Sequence, residues 1–241
     1  MNILITGASS GIGQQLAQDY LEQGHYVYLC GRNERALEAV AAKFPQLAAT
    51  RVFDIENAEE CRTQLADIKP LDLVILNAGT CEYIDATEFD PAVFERVIRT
   101  NLIGLGNCVA AVIPLITPGG QLALMGSSSS FLPLPRAEAY GASKAATQYL
   151  ARTLGITLKS RDISTTYIAP GFVKTPLSDR NDFAMPLRIS VASASDAIRS
   201  GLSKRRKEIH FPKKFTWLLK CIAALPLGLQ QFLIRKVITS T

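Results

Sequence analysis

The stretch that decides the fold is NILITGASSGIG, residues 2–13, in which an apolar run enters a turn with three glycines. Residues 2–6 predict a buried strand. Residues 13–24 carry apolar side chains at helical spacing and end at Gly24, so they predict a helix. Glycines between a strand and a helix let the chain turn tightly and bring backbone N–H groups against a phosphate. The stretch therefore predicts a strand–turn–helix unit suited to bind a pyrophosphate.

The same alternation continues along the chain. Further strands are predicted at residues 26–30, 49–54, 71–79, 120–126, 163–171 and 208–211, and helices at 33–44, 57–68, 91–116 and 137–159. Apolar strands separated by helices of ten or more residues are typical of a parallel sheet covered on both faces. We expect an α/β fold, a doubly wound parallel sheet of the Rossmann type. Residues 1–211 would form the single domain, and residues 212–241 a basic, apolar, helical C-terminal extension.

The composition indicates the class of protein and the cellular compartment. The 241 residues are 48% hydrophobic and 20% charged, as in a globular domain. Five scattered cysteines indicate reduced thiols, and with only two histidines we expect no metal site. Structure is predicted from residue 2 onwards and no run reaches 18 apolar residues, so we expect neither a signal peptide nor a membrane span. These features predict a cytoplasmic protein.

The second strand ends in Cys30, Gly31 and Arg32, where dinucleotide-binding proteins place the residue that reads the adenosine ribose. An acidic residue there would bind both ribose hydroxyls of NAD(H). Here no carboxylate repels a 2′-phosphate, and a guanidinium binds one through two parallel hydrogen bonds. The sequence favours NADP(H) over NAD(H). The alternative is that Arg32 is a solvated arginine at a strand end.

Tyr140 and Lys144 lie four residues apart, so they share one face of the predicted helix 137–159. Small residues surround them, which lets another group approach closely. Taken alone, the pair also fits a buried tyrosine ring with a lysine at the edge of the buried region. Its meaning depends on the other motifs of the chain.

Six motifs occur in order: TGASSGIG (6–13), NAG (77–79), Asn101, a serine 13 residues before the tyrosine, YGASK (140–144) and PGFVKTP (170–176). Together they resemble the short-chain dehydrogenases/reductases, in particular the compact subfamily with Y-x-x-x-K, over residues 2–211. The resemblance implies an NADP(H)-dependent oxidoreductase that interconverts a carbonyl and an alcohol.

The resemblance also implies roles for individual residues. Tyr140 would be the acid/base, Lys144 would bind the nicotinamide ribose, Ser127 would hydrogen-bond the substrate oxygen, and Asn101 would hold a water that links Lys144 to solvent. Because the phenol pKa is ordinarily near 10, the lysine ammonium and the oxidised nicotinamide are expected to lower it. The predicted cofactor-binding residues are Gly7, Ser9, Ser10, Gly11, Ile12, Gly13, Arg32, Asp54, Asn77, Ala78, Gly79, Tyr140, Lys144, Pro170, Gly171, Val173 and Thr175.

Several assignments have alternatives. Ser128 competes with Ser127 for the catalytic serine, and Ser130 replaces a glycine that is common in the family. Asp54 would contact the adenine or cap the helix that follows. Asn77 would line the cofactor or only end a strand. Residues 170–176 would hold the nicotinamide carboxamide through the Val173 backbone and the Thr175 hydroxyl, or form a plain turn.

The substrate is expected to contact loops 80–90, 131–138 and 172–192, at the carboxyl ends of the strands. They contribute an apolar set with three nearby arginines: Tyr83, Ile84, Phe131, Leu132, Leu134, Phe172, Phe183, Met185, Leu187, Ile189, Arg136, Arg180 and Arg188. This predicts an apolar or amphipathic small molecule as substrate, although such residues also serve to close a lid. Neither the compound nor the direction of the reaction follows from the sequence.

Charge is concentrated at the C-terminus. Residues 204–241 hold nine Lys and Arg and one Glu, a net charge of +8, so the first 203 residues carry −3 of the total +5. A mildly acidic main body argues against nucleic acid as a partner. Apolar residues at 215–234 predict two short helices with a bend at Pro226. They would cover the active site or the partner in a homodimer or homotetramer, with a peripheral membrane contact as the alternative. A non-catalytic NADP-binding sensor or scaffold is the alternative function.

Overall fold

The computed structural model describes residues 1–181, 183 and 185–239. Its seven strands all pair in parallel, in the order β3-β2-β1-β4-β5-β6-β7. They are β1 (Asn2–Thr6), β2 (Tyr26–Gly31), β3 (Ala48–Val52), β4 (Leu71–Leu76), β5 (Ile116–Met125), β6 (Ser164–Pro170) and β7 (Glu208–Phe211). The order reverses between β1 and β4, so the predicted doubly wound Rossmann fold is confirmed.

Helices cover both faces of the sheet. They are α1 (Gly11–Glu22), α2 (Glu34–Ala41), α3 (Ala58–Gln64), α4 (Pro91–Ile98), α5 (Leu105–Val112), α6 (Glu138–Thr157), α7 (Val191–Ser203), α8 (Lys213–Ala223) and α9 (Leu227–Thr239). Ile3 and Ile5 of β1 pack with α1, α2 and α7, whereas Leu4 packs with α3, α5 and α6. Because successive strand residues point to opposite faces, both faces of the strands must be apolar, which explains the continuous apolar runs.

The helix predicted at 91–116 is present as a continuous helical stretch, Pro91–Leu115. It comprises α4 and α5 joined by a π-helical turn, Arg99–Gly104. Among the described residues, one helical stretch, Pro91–Leu115, is long and apolar enough to span a membrane. Val97 and Cys108 in this stretch are buried inside the domain, so core packing accounts for part of its apolar character.

Residues 191–203 form α7, a helix that the sequence pattern does not predict. Ser190 caps this helix by accepting a hydrogen bond from the Ser193 backbone N–H, and Ile198 and Leu202 are buried against the sheet. Serines dominate the first turns and mask the apolar spacing. Other boundaries shift by a few residues: β4 ends at Leu76 rather than residue 79, and β5 begins at Ile116 rather than residue 120.

The C-terminal extension consists of two helices, α8 and α9, separated at Pro226 as the sequence predicts. On the inner face of α8, Thr216 and Leu219 are buried against the domain. The centre of the Phe215 ring lies 5.3 Å from the centre of the Phe172 ring. The start of α8 therefore packs beside the 172–192 loop. Leu227 and Phe232 of α9 are exposed.

Candidate active site

The carboxyl ends of the strands open into a cavity of about 1400 Å³ at the point where the strand order reverses. It is lined by the turns after β1, β2, β4, β5 and β6 and by the start of α6. Parallel strands bring these turns to one edge of the sheet, which is why motifs far apart in sequence meet here.

The glycine turn after β1 has the conformation that a phosphate site requires. Gly7 and Gly11 have φ angles of 68° and 55°, in the left-handed region where a side chain would be strained. A Cβ at Gly13 would overlap the Gly7 carbonyl oxygen, so the helix packs directly on the strand. Ser10 begins α1 without a side-chain cap, and it lines the cavity with Ser9 and Ile12. Uncapped N–H groups at a helix start fit a pyrophosphate.

Thr6 and Asn77 join the glycine turn to the end of β4. The Thr6 hydroxyl accepts hydrogen bonds from the backbone N–H groups of Asn77 (3.0 Å) and Ala78 (3.1 Å). In return the Asn77 amide donates to the carbonyl oxygens of Thr6 (3.1 Å) and Gly7 (3.3 Å). Asn77 lines the cavity, and its side chain braces the turn. Thr6 is not among the predicted site residues, because its partner Asn77 lies 71 residues away in the sequence.

Arg32 and Asp54 lie together at the rim of the cavity. Arg32 Nη1 is 3.3 Å from Asp54 Oδ2, and the Arg32 side chain is 71% exposed whereas that of Asp54 is 37% exposed. Asp54 Oδ1 accepts from the Glu56 backbone N–H at 3.0 Å. The helix-cap alternative for Asp54 is wrong, because α3 is capped by Asn57. Both residues line the cavity beyond the ends of β2 and β3, and an ion pair this close to solvent is weak.

Asn101 lies in the π-helical turn between α4 and α5, a distortion that often marks functional positions. Its side chain accepts from the Thr80 backbone N–H (2.8 Å) and donates to the Thr80 carbonyl (2.9 Å) and the Ser143 hydroxyl (3.0 Å). A Cβ at Gly79 would lie 3.0 Å from Asn101 Oδ1 and 3.4 Å from Lys144 Nζ. Glycine thus lets these groups approach each other. The Asn101 side chain holds the loop after β4 against α6, and its predicted water contact stays a prediction.

Tyr140, Lys144 and Ser127 converge in the cavity. Lys144 Nζ lies 5.7 Å from the centre of the Tyr140 ring and donates to the Met125 carbonyl oxygen at 3.0 Å. Ser127 Oγ accepts from the Ser129 backbone N–H at 3.1 Å, which leaves its own hydrogen to reach the Tyr140 hydroxyl. That hydrogen bond favours Ser127 over Ser128 as the serine beside the tyrosine.

Burial governs the pKa values at this site. It raises the pKa of Tyr140 above its ordinary value, Cys81 adds to the increase, and the hydrogen bond from Ser127 opposes it. Removal from water outweighs the nearby polar groups of the chain, and the lowering expected from Lys144 together with the oxidised nicotinamide stays a prediction. Burial also lowers the pKa of Lys144 to about 8, opposed by Cys81. The lysine thus titrates near physiological pH.

The turn after β6 carries the PGFVKTP motif. A Cβ at Gly11 would lie 3.2 Å from Thr175 Cγ2, so Thr175 contacts the glycine turn. Ser178 Oγ donates to the Val173 carbonyl (2.6 Å), and Thr175 Oγ1 accepts from the Ser178 backbone N–H (3.2 Å). The motif is therefore more than a plain Pro-Gly turn. Its residues Pro170, Gly171, Val173 and Thr175 all line the cavity.

An aromatic cluster lines the outer part of the cavity. Phe183 lies 5.1 Å from Tyr83 and 6.1 Å from Phe172, measured between ring centres, and Phe172 stacks on Phe215. The predicted substrate residues that line the cavity are Tyr83, Leu134, Phe172, Phe183, Arg136 and Arg180.

The other predicted substrate residues have different surroundings. Ile84 and Leu132 are buried, Leu187 is exposed, and Ile189 forms a β-bridge with Val173. Three more do not line the cavity: Phe131 lies beside His210, Met185 beside Asn181, and Arg188 on Ser178 and Asp179.

Comparison with known proteins identifies the family. The sequence pattern described as "short chain dehydrogenase" matches residues 1–184. The chain belongs to the short-chain dehydrogenase family. It is 33% identical over 235 residues to "11-beta-hydroxysteroid dehydrogenase-like 3" of Arabidopsis thaliana, covering 90% of this chain and 74% of the relative. It is 30% identical over 233 residues to an "uncharacterized oxidoreductase" of Myxococcus xanthus, covering 92% of each.

Solved structures agree. A short-chain dehydrogenase from Sphingobium yanoikuyae in complex with NADPH superposes with a TM-score of 0.80 at 26% identity, covering 88% of each chain. A serine dehydrogenase complexed with NADP⁺ shares the fold, with a TM-score of 0.79 at 23% identity and coverage of 88% and 94%. The chain is thus an oxidoreductase of a family that uses nicotinamide dinucleotides.

One departure from the short-chain dehydrogenase pattern has a structural explanation. The Ser127 backbone N–H donates to the Tyr167 hydroxyl (3.2 Å), which donates to Ser130 Oγ (2.7 Å), and Ser130 donates back to the Ser127 carbonyl (2.8 Å). A Cβ at Gly126 would overlap the Tyr167 ring. Ser130 thus closes a hydrogen-bond ring that fixes Ser127. Tyr167 is not among the predicted site residues, because no sequence motif marks it.

Proposed function

We propose that this short-chain dehydrogenase interconverts a carbonyl and an alcohol on an apolar or amphipathic small molecule, with NADP(H) as cofactor and Tyr140 as acid/base. The observation that carries the proposal is the meeting of Tyr140, Ser127 and Lys144 in the cavity that also contains the uncapped glycine turn. A proton donor, a hydroxyl that can bind the substrate oxygen and a cation lie beside a phosphate site.

Each catalytic residue then has a chemical task. The cofactor, when bound, supplies or accepts the hydride. Tyr140 donates its proton to the carbonyl oxygen during reduction and accepts it back during oxidation. Ser127 donates a hydrogen bond to the same oxygen, and the Ser129 N–H, which donates to Ser127 Oγ, holds the hydroxyl in place. Lys144, with a pKa lowered to about 8, exchanges protons close to neutral pH and restores the proton of Tyr140.

The preference for NADP(H) rests on Arg32. Its guanidinium lies at the cavity rim after β2, and its present partner is the exposed carboxylate of Asp54. A 2′-phosphate there would carry more charge than the carboxylate and accept two parallel hydrogen bonds. The NADPH and NADP⁺ complexes of structural neighbours support this choice. Ser9, beside Gly31, is placed to add a hydroxyl contact.

The outer cavity supports an apolar substrate. Four aromatic side chains present their ring faces and edges to a ligand: Tyr83, Phe172, Phe183 and Phe215. The Arg136 guanidinium carbon lies over the Tyr83 ring, 5.7 Å from its centre. Such a lining favours a large apolar body with a polar end. The Arabidopsis relative is named for a hydroxysteroid, itself an apolar alcohol.

Assembly and compartment are part of the proposal. Tyr149 and Ile156 on α6 are 76% and 77% exposed, which suits burial in a homodimer or homotetramer. All five cysteines are free, as in a reducing, cytoplasmic compartment.

The test is a panel of ketones and aldehydes of increasing apolar size, each followed by the loss of NADPH absorbance. We expect turnover with at least one apolar member, and none with the Tyr140→Phe variant. Binding of NADPH without turnover of any compound, in either direction, would support the sensor or scaffold alternative instead. NADH in place of NADPH measures cofactor preference in the same assay.

A further inference from the structure

The C-terminal helices present an apolar surface to solvent. α8 is apolar on two faces: Thr216 and Leu219 are buried against the domain, whereas Trp217 and Leu218 are 56% and 57% exposed. Lys214, Trp217, Leu218 and Cys221 follow the spacing i, i+3, i+4, i+7, so they form one stripe, the outer stripe of α8. A helix that only covered the domain would need no large apolar residues on this side.

α9 extends this surface. Leu227, Leu229 and Phe232 are 65%, 44% and 54% exposed. The Gln230 amide donates to the carbonyl oxygens of Ala223 (3.1 Å) and Leu225 (2.7 Å), which satisfies the end of α8 and fixes the bend between the helices. The apolar groups of the two helices are therefore held together as a preformed surface.

The charge around the surface has one sign. Residues 209–241 contain five Lys and Arg and no acidic residue. At the start of α8, burial and the charges of Arg206 and Lys220 lower the pKa of Lys213, which shows that these cations lie close together. The nearest acid, Glu208, is engaged by Lys220. Excess positive charge beside exposed apolar side chains complements an anionic surface with an apolar interior.

We propose that α8 and α9 dock on the surface of an anionic lipid bilayer, with Trp217, Leu218 and Phe232 at the level of the acyl chains and the lysines at the headgroups. A second copy of the chain is the competing occupant. A two-fold contact through the same surface would place the basic residues opposite one another, and like charges in an interface are unfavourable. Charge complementarity therefore favours lipid.

Docking has a consequence for the active site. Phe215, on the inner face of α8, lines the cavity, so the docked helix would bring the cavity next to the bilayer. Because an apolar carbonyl compound partitions into the bilayer, its concentration is highest beside the docked cavity. This consequence rests on the proposed function, whereas the docking itself does not, so the experiment measures docking without any substrate.

Trp217 is the single tryptophan of the chain, which makes it a direct reporter. Full-length protein is mixed with sucrose-loaded vesicles of phosphatidylcholine alone or with 30% phosphatidylglycerol, and is then sedimented. We expect sedimentation with the anionic vesicles, a shift of Trp emission to shorter wavelength, and weak binding to phosphatidylcholine alone. Lys214→Gln should weaken binding to the anionic vesicles about fivefold, because each basic residue near such a surface contributes about 1 kcal/mol.

The double variant Trp217→Ser/Leu218→Ser should lose at least about tenfold in binding, since two large apolar side chains no longer enter the bilayer. The matched control is Phe89→Ser/Ile103→Ser, which removes two exposed apolar residues outside the C-terminal helices and should bind vesicles like the wild type. Melting temperatures equal to that of the wild type would show that both variants fold. Wild-type protein that stays in the supernatant with anionic vesicles, or a control variant as impaired as the double variant, would overturn the proposal. Failure of wild-type binding together with dissociation of an oligomer in the double variant would identify a second copy as the occupant.

Discussion

Replacing Lys144 by Met should abolish turnover and yet stabilise the fold at pH 7. The Lys144 side chain is 5% exposed, and its ammonium donates a hydrogen bond to the Met125 carbonyl oxygen at 3.0 Å. Burial lowers its pKa from 10.5 to about 8. At about 1.4 kcal/mol per pKa unit, holding the ammonium charged below pH 8 costs about 3 kcal/mol. A methionine fills similar space without the charge.

The lost hydrogen bond offsets part of this gain. An unpaired buried carbonyl oxygen costs about 1–3 kcal/mol, so the net stabilisation at pH 7 is about 1 kcal/mol, a rise in melting temperature of about 2–4 °C. The pH dependence is the sharper signature. Between pH 8 and 10.5 the unfolded chain holds the lysine proton and the folded chain releases it, so wild-type stability rises with pH. The variant lacks this contribution.

The assay is chemical denaturation of both proteins at pH 7, 8, 9 and 10, with NADPH oxidation measured at pH 7. The advantage of Lys144→Met should shrink steadily above pH 8 and reverse by pH 10. Lys159→Met is the control, because that side chain stays in water, and its difference from wild type should not change with pH. If the free energies of unfolding of Lys144→Met and wild type differ by the same amount from pH 7 to 10, the buried ammonium does not destabilise the fold and the reasoning is refuted.

Three further predictions address the site. Tyr140→Phe should retain NADPH affinity, measured by fluorescence titration, but lose turnover, since only the proton donor is removed; activity near the wild-type level would exclude Tyr140 as the acid/base. Arg32→Ala should weaken NADPH binding by about 1.5–3 kcal/mol and leave NADH binding nearly unchanged, and equal losses for both cofactors would show that Arg32 does not read the 2′-phosphate. Tyr167→Phe should lower kcat about tenfold or more with little change in NADPH affinity, because the hydrogen-bond ring that holds Ser127 opens. A Tyr167→Phe enzyme with wild-type kcat and a lowered melting temperature would limit Tyr167 to a structural role.

The sequence by itself determined the architecture and predicted a set of site residues, most of which line one cavity. Apolar runs of strand length, separated by helices, require a parallel sheet with two covered faces, and the glycines at 7, 11 and 13 mark the phosphate turn at its switch point. The spacing of Tyr140 and Lys144 on one helix needs only local geometry. Such features are local in the chain, so periodicity and motif order predict them.

The tertiary structure decided what depends on distant partners. The pKa of Tyr140 is raised because the folded domain removes it from water, which no motif reports. The ring through Tyr167 and Ser130 joins residues 37 apart, and the exposed outer face of α8 became visible only once its inner face was packed on the domain. Burial and long-range hydrogen bonds depend on all neighbours at once, and one-dimensional spacing does not contain them.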